Sequence, residues 1–229
     1  MKKDDYILVE GFKHIRYCQE IYSEKEMIDR SKKYYELLSK RRSVRHFSNN
    51  SVPKEVIENI IKTASTSPSG ANKQPWTFCV IENAALKKKI REAAEEEERK
   101  SYSERMSKMW LDDLKHLGTD ANKPFLETAP YLIVVFKRPF EIDKNGLKHQ
   151  NYYVNESVGL ACGFLISAIH NAGLVTLTHT PSPMRFLEII LERPVNERAF
   201  LLLPVGYPAE EAYVPDIQKK TLQEVIKWY

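Results

Sequence analysis

The sequence predicts one globular domain in which helices alternate with strands. Three observations carry that prediction. An apolar share of 42% in 229 residues is enough for one substantial core. Four short runs are rich in β-branched and aromatic residues, and helical spacings lie between them. No internal repeat or low-complexity linker divides the chain, and its twelve prolines are scattered. A peptide, a fibre and a disordered tail are excluded.

The opening stretch, MKKDDYILVEGFKHIRYCQE, has only one short apolar run, Tyr6 to Val9, too brief for a signal-peptide core or a membrane span. Residues 26 to 40 have helical spacing. A second helix, Pro53 to about Ser65, places Val56, Ile57, Ile60, Ile61 and Ala64 on one face, with Pro53 suited to its first turn. The chain then breaks at SPSGANKQP. Strands are expected at Trp76 to Ile81, Tyr131 to Lys137, Leu174 to Thr180 and Ala199 to Val205. Between the first two, Ala84 to Leu117 keeps a broken helical stripe in Leu86, Ile90, Ala94, Met106, Met109, Trp110 and Leu114. That stripe thins at EEEERKSY, Glu95 to Tyr102, which is either solvated or covers something polar. Val158 to Ile169 is uncharged but too short for a span of about 20 residues, so it reads as a buried helix. Its small residues Gly159, Ala161, Gly163, Ser167 and Ala168 suit a domain centre or a subunit contact, the plain core helix being favoured.

The 35 Lys and Arg against 31 Asp and Glu leave a net charge of +4, interleaved rather than gathered into a stripe, so charge makes no case for nucleic acid. Cys18, Cys79 and Cys162 are widely spaced and form no CxxC pair, which points away from a disulfide framework or structural zinc and toward a reducing cytoplasm. The histidines at 14, 46, 116, 149, 170 and 179 show no metal-ligand spacing, and no GxSxG, P-loop or GxGxxG occurs. No metal is expected.

Three clusters remain. RRSVRHFS, Arg41 to Ser48, crowds three guanidiniums that repel unless they face an anion such as a phosphate; a helix C-terminus is the alternative reading. SPSGANKQPWTF, Ser67 to Phe78, is a turn entering a strand that offers backbone N–H groups to a flat ring, although turn chemistry alone also explains it. THTPSP, Thr178 to Pro183, puts hydroxyls and donors at a strand's end.

In this order, with LLLPVGYP and VPDIQKKTL following, the clusters resemble the FMN-dependent nitroreductase superfamily from about Tyr34 to the C-terminus. Within it, EEEERKSYSERM, the MWLDDLKHL stretch and Lys123 before Leu126 resemble the iodotyrosine deiodinase group. The resemblance implies an α+β fold, a mixed central sheet flanked by helices, in an intertwined homodimer with FMN at the interface. It divides a single domain, 1–229, into an N-terminal extension (1–30), a lid insertion (84–125) and a C-terminal arm (207–229) around the body.

By the same resemblance Arg41, Arg42, Ser43 and Arg45 hold FMN, the arginines chiefly at its phosphate, and Pro68, Ser69 and Gly70 line the flavin. Lys219 stands where the family commonly has an arginine, keeping the charge but losing the bidentate fork. Thr178, His179 and Thr180 lie beside the isoalloxazine. Thr180 is the implied catalytic residue, donating a hydrogen bond to N5 and favouring one-electron steps. His179 replaces a residue that is often threonine, and its contribution is open.

Recognising a free amino acid takes an anion for its ammonium and donors for its carboxylate. Glu98 and Tyr102 stand at i and i+4, on one helix face, and Lys123 lies beyond the Gly118 break, where the chain can fold back. The resemblance assigns these three to the substrate zwitterion and the Ala71 backbone to its phenolate oxygen. The segment then acts as a lid. The implied activity is reductive dehalogenation of halotyrosines to tyrosine and halide, with an electron donor the sequence does not identify and no protein nucleophile. The alternatives are a general NAD(P)H-dependent nitroreductase or quinone reductase and a non-catalytic flavin-binding protein. Vertebrate deiodinases carry an N-terminal membrane anchor, and its absence from the sequence leads to the expectation of a soluble, cytoplasmic, microbial relative without a membrane partner.

Overall fold

Glu10 and Gly11 both take positive φ, 52° and 84°, which closes a two-residue hairpin between β1 (Tyr6–Val9) and β2 (Phe12–Ile15). The computed structural model describes residues 6–229, which form two units divided after Lys40. The hairpin belongs to the first. Its helix α1 (Glu24–Ser39) starts two residues before the expected 26 to 40 because the Ser23 hydroxyl accepts the Glu26 N–H at 3.3 Å. Nothing from 6 to 40 is buried, and Ile7, Leu8, Phe12, Ile15, Met27 and Tyr35 are all exposed. This unit has apolar surface and no core of its own.

The second unit carries the expected alternation. Helix α2 (Lys54–Ser65) follows Pro53 and buries Ile57, Ile60 and Ala64, with Val56 and Ile61 packed at the edge of the same core. A 3₁₀ turn at Gly70–Asn72 leads into β3 (Trp76–Ile81). The long charged segment becomes α3 (Ala84–Lys100), a π-helical turn (Ser101–Arg105) and α4 (Lys108–Lys115), before α5 (Phe125–Thr128) returns to the core. Then come β4 (Tyr131–Lys137), a hairpin of β5 (Phe140–Ile142) and β6 (Lys148–Gln150), α6 (Val154–Asn171) and β7 (Val175–Thr176). The chain ends with α7 (Arg185–Ile190), β8 (Arg198–Gly206) and α8 (Leu222–Val225).

One sheet, ordered β3-β4-β8-β7, organises this unit. Alternation along β4 sends Tyr131, Ile133 and Val135 toward α2 and α6, and Leu132, Val134 and Phe136 toward α3, α5 and α7. Both faces are therefore dry. Every ladder is antiparallel, so the mixed sheet implied by the resemblance reduces here to one parallel bridge, Ser43 with Thr176. The strand expected over Leu174 to Thr180 is also shorter. In its register Leu177 faces Pro204, which has no N–H to donate, so the ladder lapses after Thr176 and resumes as a single bridge between His179 and Leu202.

Helix α6 is half core and half open. Val158, Ala161, Cys162, Leu165 and Ile169 are buried, while Leu160 and Phe164 are exposed and a Cβ on Gly159 or Gly163 would meet nothing within 4 Å. A wholly buried core helix, the favoured reading, does not describe it. Among the described residues no helix is long and apolar enough to cross a membrane.

Candidate active site

The RRSVR segment is held to the β7 edge by the Ser43 bridge and by the Val44 N–H, which donates to Thr176 O at 3.2 Å. Val44 and Phe47 are buried. That leaves Arg41, Arg42, Ser43 and Arg45 to line a cavity of about 200 Å³, closed by Pro215, Ile217 and Lys219 from the C-terminal arm and Leu117 from the lid. Arg42 donates to Pro215 O and so pins the arm that carries Lys219. Helix α1 ends at Ser39 with Lys40 as its cap, so Arg41 and Arg42 directly follow a helix C-terminus and the helix-end reading stands beside the anion reading. Three guanidiniums and an ammonium surround this small space and make, among the described residues, one hydrogen bond, from Arg42 to Pro215 O, an arrangement suited to an anion.

Arg45 also borders a second cavity, about 230 Å³, reached by Glu98, Tyr102, Lys123, Thr178, His179 and Thr180. Glu98 extends the buried row Ile90 and Ala94 by one helical turn, so the core stripe of α3 ends in a carboxylate. Lys123 arrives opposite it because Gly118 adopts φ 57° and Asp120 Oδ1 accepts the Asn122 N–H at 2.8 Å, turning the chain back. Glu95 accepts the Lys123 N–H at 2.7 Å and the Arg91 guanidinium at 2.7 Å. The apolar wall comes from Met106, Trp110 and Leu114; the α4 stripe faces this cavity and buries nothing in the core.

Within the cavity Lys123 Nζ lies 4.0 Å from Glu98 Oε2 and 5.7 Å from the centre of the Tyr102 ring. It donates to Thr119 Oγ1 at 3.2 Å and to Asp120 O. His179 Nδ1 is 3.8 Å from Glu98 Oε1, its ring stands edge-on to Phe125, and its buried Nε2 has no partner. Glu98, Lys123 and His179 are 8%, 4% and 6% exposed. Burial raises the Glu98 carboxyl, which the Lys123 ammonium partly offsets, and burial lowers the Lys123 ammonium, which Glu98 partly offsets. Burial, with Lys123 and Arg45 adding to it, pushes His179 down to about 3 and keeps it neutral. Burial also raises the Tyr102 phenol. A dry carboxylate and a dry ammonium with neither at hydrogen-bonding distance from the other suit a ligand that brings both opposite charges.

The two cavities gather Arg41, Arg42, Ser43, Arg45, Lys219, Glu98, Tyr102, Lys123, Thr178, His179 and Thr180. Pro68, Ser69, Gly70 and Ala71 line neither. Their turn enters β3, at one edge of the sheet, whereas Thr178 to Thr180 follow β7 at the other. Two strands intervene, about 14 Å of sheet at the usual strand spacing. The turn is tightly built: a Cβ on Gly70 would come within 2.9 Å of Tyr152 O, and Ala71 holds φ 49°. Sequence reasoning missed Leu117, Thr119, Asp120 and Ile217, which belong to aperiodic segments; the Gly-Thr-Asp run was the one legible sign of a fold-back. Among the described residues no group of His, Cys, Asp and Glu could hold a metal ion.

A small basic cavity sharing Arg45 with one that holds a buried carboxylate and ammonium, on a sheet sandwiched by helices, has the size of a small-molecule site. The nitroreductase family model matches residues 38–207, and the chain belongs to that family. It is 59% identical to an iodotyrosine deiodinase of Haliscomenobacter hydrossis, over 94% of this chain and 97% of that one. It is 49% identical to iodotyrosine deiodinase 1 of Homo sapiens, over 95% of this chain and 75% of that one. A crystal structure of oxidised iodotyrosine deiodinase bound to FMN and 3-iodo-L-tyrosine superposes with a TM-score of 0.72 at 32% identity, covering 86% of this chain and 98% of that one. A nitroreductase with bound FMN from Bacteroides fragilis, at 19% identity and a TM-score of 0.64, shares the fold.

Proposed function

We propose that this chain is an FMN-dependent oxidoreductase that removes halogen from halotyrosines, converting iodotyrosine to tyrosine and iodide. The observation that carries the reading is the Glu98–Lys123 clasp, two buried opposite charges 4.0 Å apart under an apolar lid. Glu98 takes the substrate ammonium, and Tyr102 and Lys123 take its carboxylate. A neutral aromatic or quinone needs neither charge.

The residues fit FMN: a cavity of basic groups for its phosphate opens beside a strand end that offers Thr178 and Thr180. When bound, FMN supplies the two electrons that, with one proton, turn an aryl–iodide into an aryl–hydrogen and iodide. Arg41, Arg45 and Lys219 hold the phosphate, and Arg42 and Ser43 fix the segment that presents them. Thr180 donates its hydroxyl to the flavin edge. Met106, Trp110 and Leu114 give the ring an apolar wall to pack against. Cys79 and Cys162, both pushed up by burial, the latter to about 12, stay protonated and take no part.

The Pro68–Ala71 turn reaches the flavin from a second copy of the chain. Opposite sheet edges within one chain support that arrangement, as do the bare Leu160 and Phe164 on α6 and an N-terminal unit without a core. In it Pro68, Ser69 and Gly70 line the ring, and the Ala71 backbone meets the phenolate oxygen.

The test is anaerobic: protein loaded with FMN is reduced with dithionite, freed of excess reductant and mixed with iodotyrosine. Flavin reoxidation with stoichiometric iodide and tyrosine is expected, and Glu98→Gln should abolish tight iodotyrosine binding while FMN stays bound. Steady-state nitroaromatic turnover with NADPH far above halotyrosine turnover would replace this reading with that of a general reductase.

A further inference from the structure

The stretch of α3 that carries Glu98 is not held by apolar packing, because Glu95, Glu96 and Glu97 flank it and the π-helical turn after it buries only Ser101. Polar contacts hold it instead. Arg105, the last residue of that turn, donates from Nη1 to Glu97 Oε2 at 2.8 Å and to Ser182 O at 2.7 Å. Ser101 Oγ reaches the same carbonyl at 3.4 Å. Ser182 is two residues beyond Thr180, so one guanidinium spans the helix before the clasp, the turn through it and the loop at the flavin edge. Glu97 and Arg105 bracket Glu98 and Tyr102 in sequence.

We propose that Arg105 is a positioning residue: it latches the lid to the Ser182 carbonyl and so sets Glu98 and Tyr102 at the distance the zwitterion requires. The inference rests on the halotyrosine reading above. Arg105 touches neither the clasp nor either cavity and acts through Glu97 and the Ser182 carbonyl. Five residues wound as a π turn, rather than continued α-helix, bring its side chain back to Glu97, eight positions earlier. Both contacts come from one partly exposed guanidinium nitrogen, and the ion pair with Glu97 is the half that salt screens.

The experiment compares FMN-loaded wild type, Arg105→Ala, Arg105→Lys, Ser101→Ala and Glu98→Gln, reading iodotyrosine Kd by flavin fluorescence and kcat and KM by iodide release. For Arg105→Ala we expect Kd and KM to rise about tenfold, the usual worth of a charge-assisted contact to a carbonyl, with kcat within about twofold and FMN affinity unchanged. Arg105→Lys should recover part of the loss, and Ser101→Ala should show a smaller rise. Unchanged KM in Arg105→Ala, or a kcat loss with KM intact, overturns the latch. If Glu98→Gln weakens binding and Arg105→Ala does not, the latch alone fails. If neither weakens binding, the halotyrosine reading fails with it. Should Arg105→Ala not retain FMN, Arg105→Lys carries the comparison, and a wild-type KM in both Arg105→Lys and Ser101→Ala overturns the proposal.

Discussion

His179 is a residue whose protonation folding constrains strongly. Its imidazole sits between Glu98, Lys123, Arg45 and the edge of Phe125, and burial lowers its pKa from 6.5 to about 3. Above pH 6.5 the folded and unfolded chains both hold it neutral, so its contribution is complete. Below that the unfolded chain takes up a proton that the folded chain refuses until about pH 3, and stability falls by up to about 1.4 kcal/mol per pH unit across the window. Urea midpoints of FMN-loaded protein at pH 7 and pH 5 should therefore differ more for wild type than for His179→Gln. Equal differences would show that the ring is solvated. The charged residues of the proposed site were legible only in part: three crowded guanidiniums suggest an anion, whereas Glu98 and Lys123 were assigned through the resemblance to the deiodinase group. The neutrality of His179 was not legible, since it depends on neighbours 54 to 134 positions away in sequence, Phe125 and Arg45 among them.

Helix α3 shows how much of the site was written as periodicity. The row Ile90, Ala94 and Glu98 keeps one face in the core, and substituting a carboxylate at its end leaves the spacing intact while changing what that face does. The thinning of the stripe after Ala94 was readable; its cause, a buried polar clasp, was one of two readings left open. Strand β7 was overcalled because its residues are β-branched, while the limit on its length lies in Pro204 of another strand. The fold-back at Gly118 tests the same logic. A Cβ there meets nothing within 4 Å, so Gly118→Ala costs only the strain of φ 57°, about 1 kcal/mol. Because that turn delivers Lys123, iodotyrosine Kd should rise by up to about fivefold, read by titration, with FMN affinity unaltered. Wild-type affinity would mean that Lys123 reaches the clasp without the turn.

The molecule as a whole has one dry sheet and several unfinished surfaces. Ile7, Phe12, Ile15, Leu160, Phe164 and Trp228 are apolar and exposed, and the Pro68–Ala71 turn lines neither cavity and enters the opposite edge of the sheet. The second copy proposed above would account for both. Phe164→Glu should lower the mass measured by sedimentation from dimer to monomer and release FMN in the same step. A monomer that keeps its FMN would return the whole site to one chain. Alternation and composition made the dry sheet readable in advance, whereas the openness of α6 was not, because small residues look alike in a core and at a contact. Arg45, meanwhile, borders the anion cavity and the clasp at once. If the shared wall couples the two chambers, the coupling is reciprocal: whatever factor phosphate occupancy adds to amino-acid affinity, amino-acid occupancy must return to FMN. Prolonged dialysis should accordingly bleach the yellow protein faster when it is starved of iodotyrosine than when it is fed, and equal rates of fading would mean that the shared wall transmits nothing.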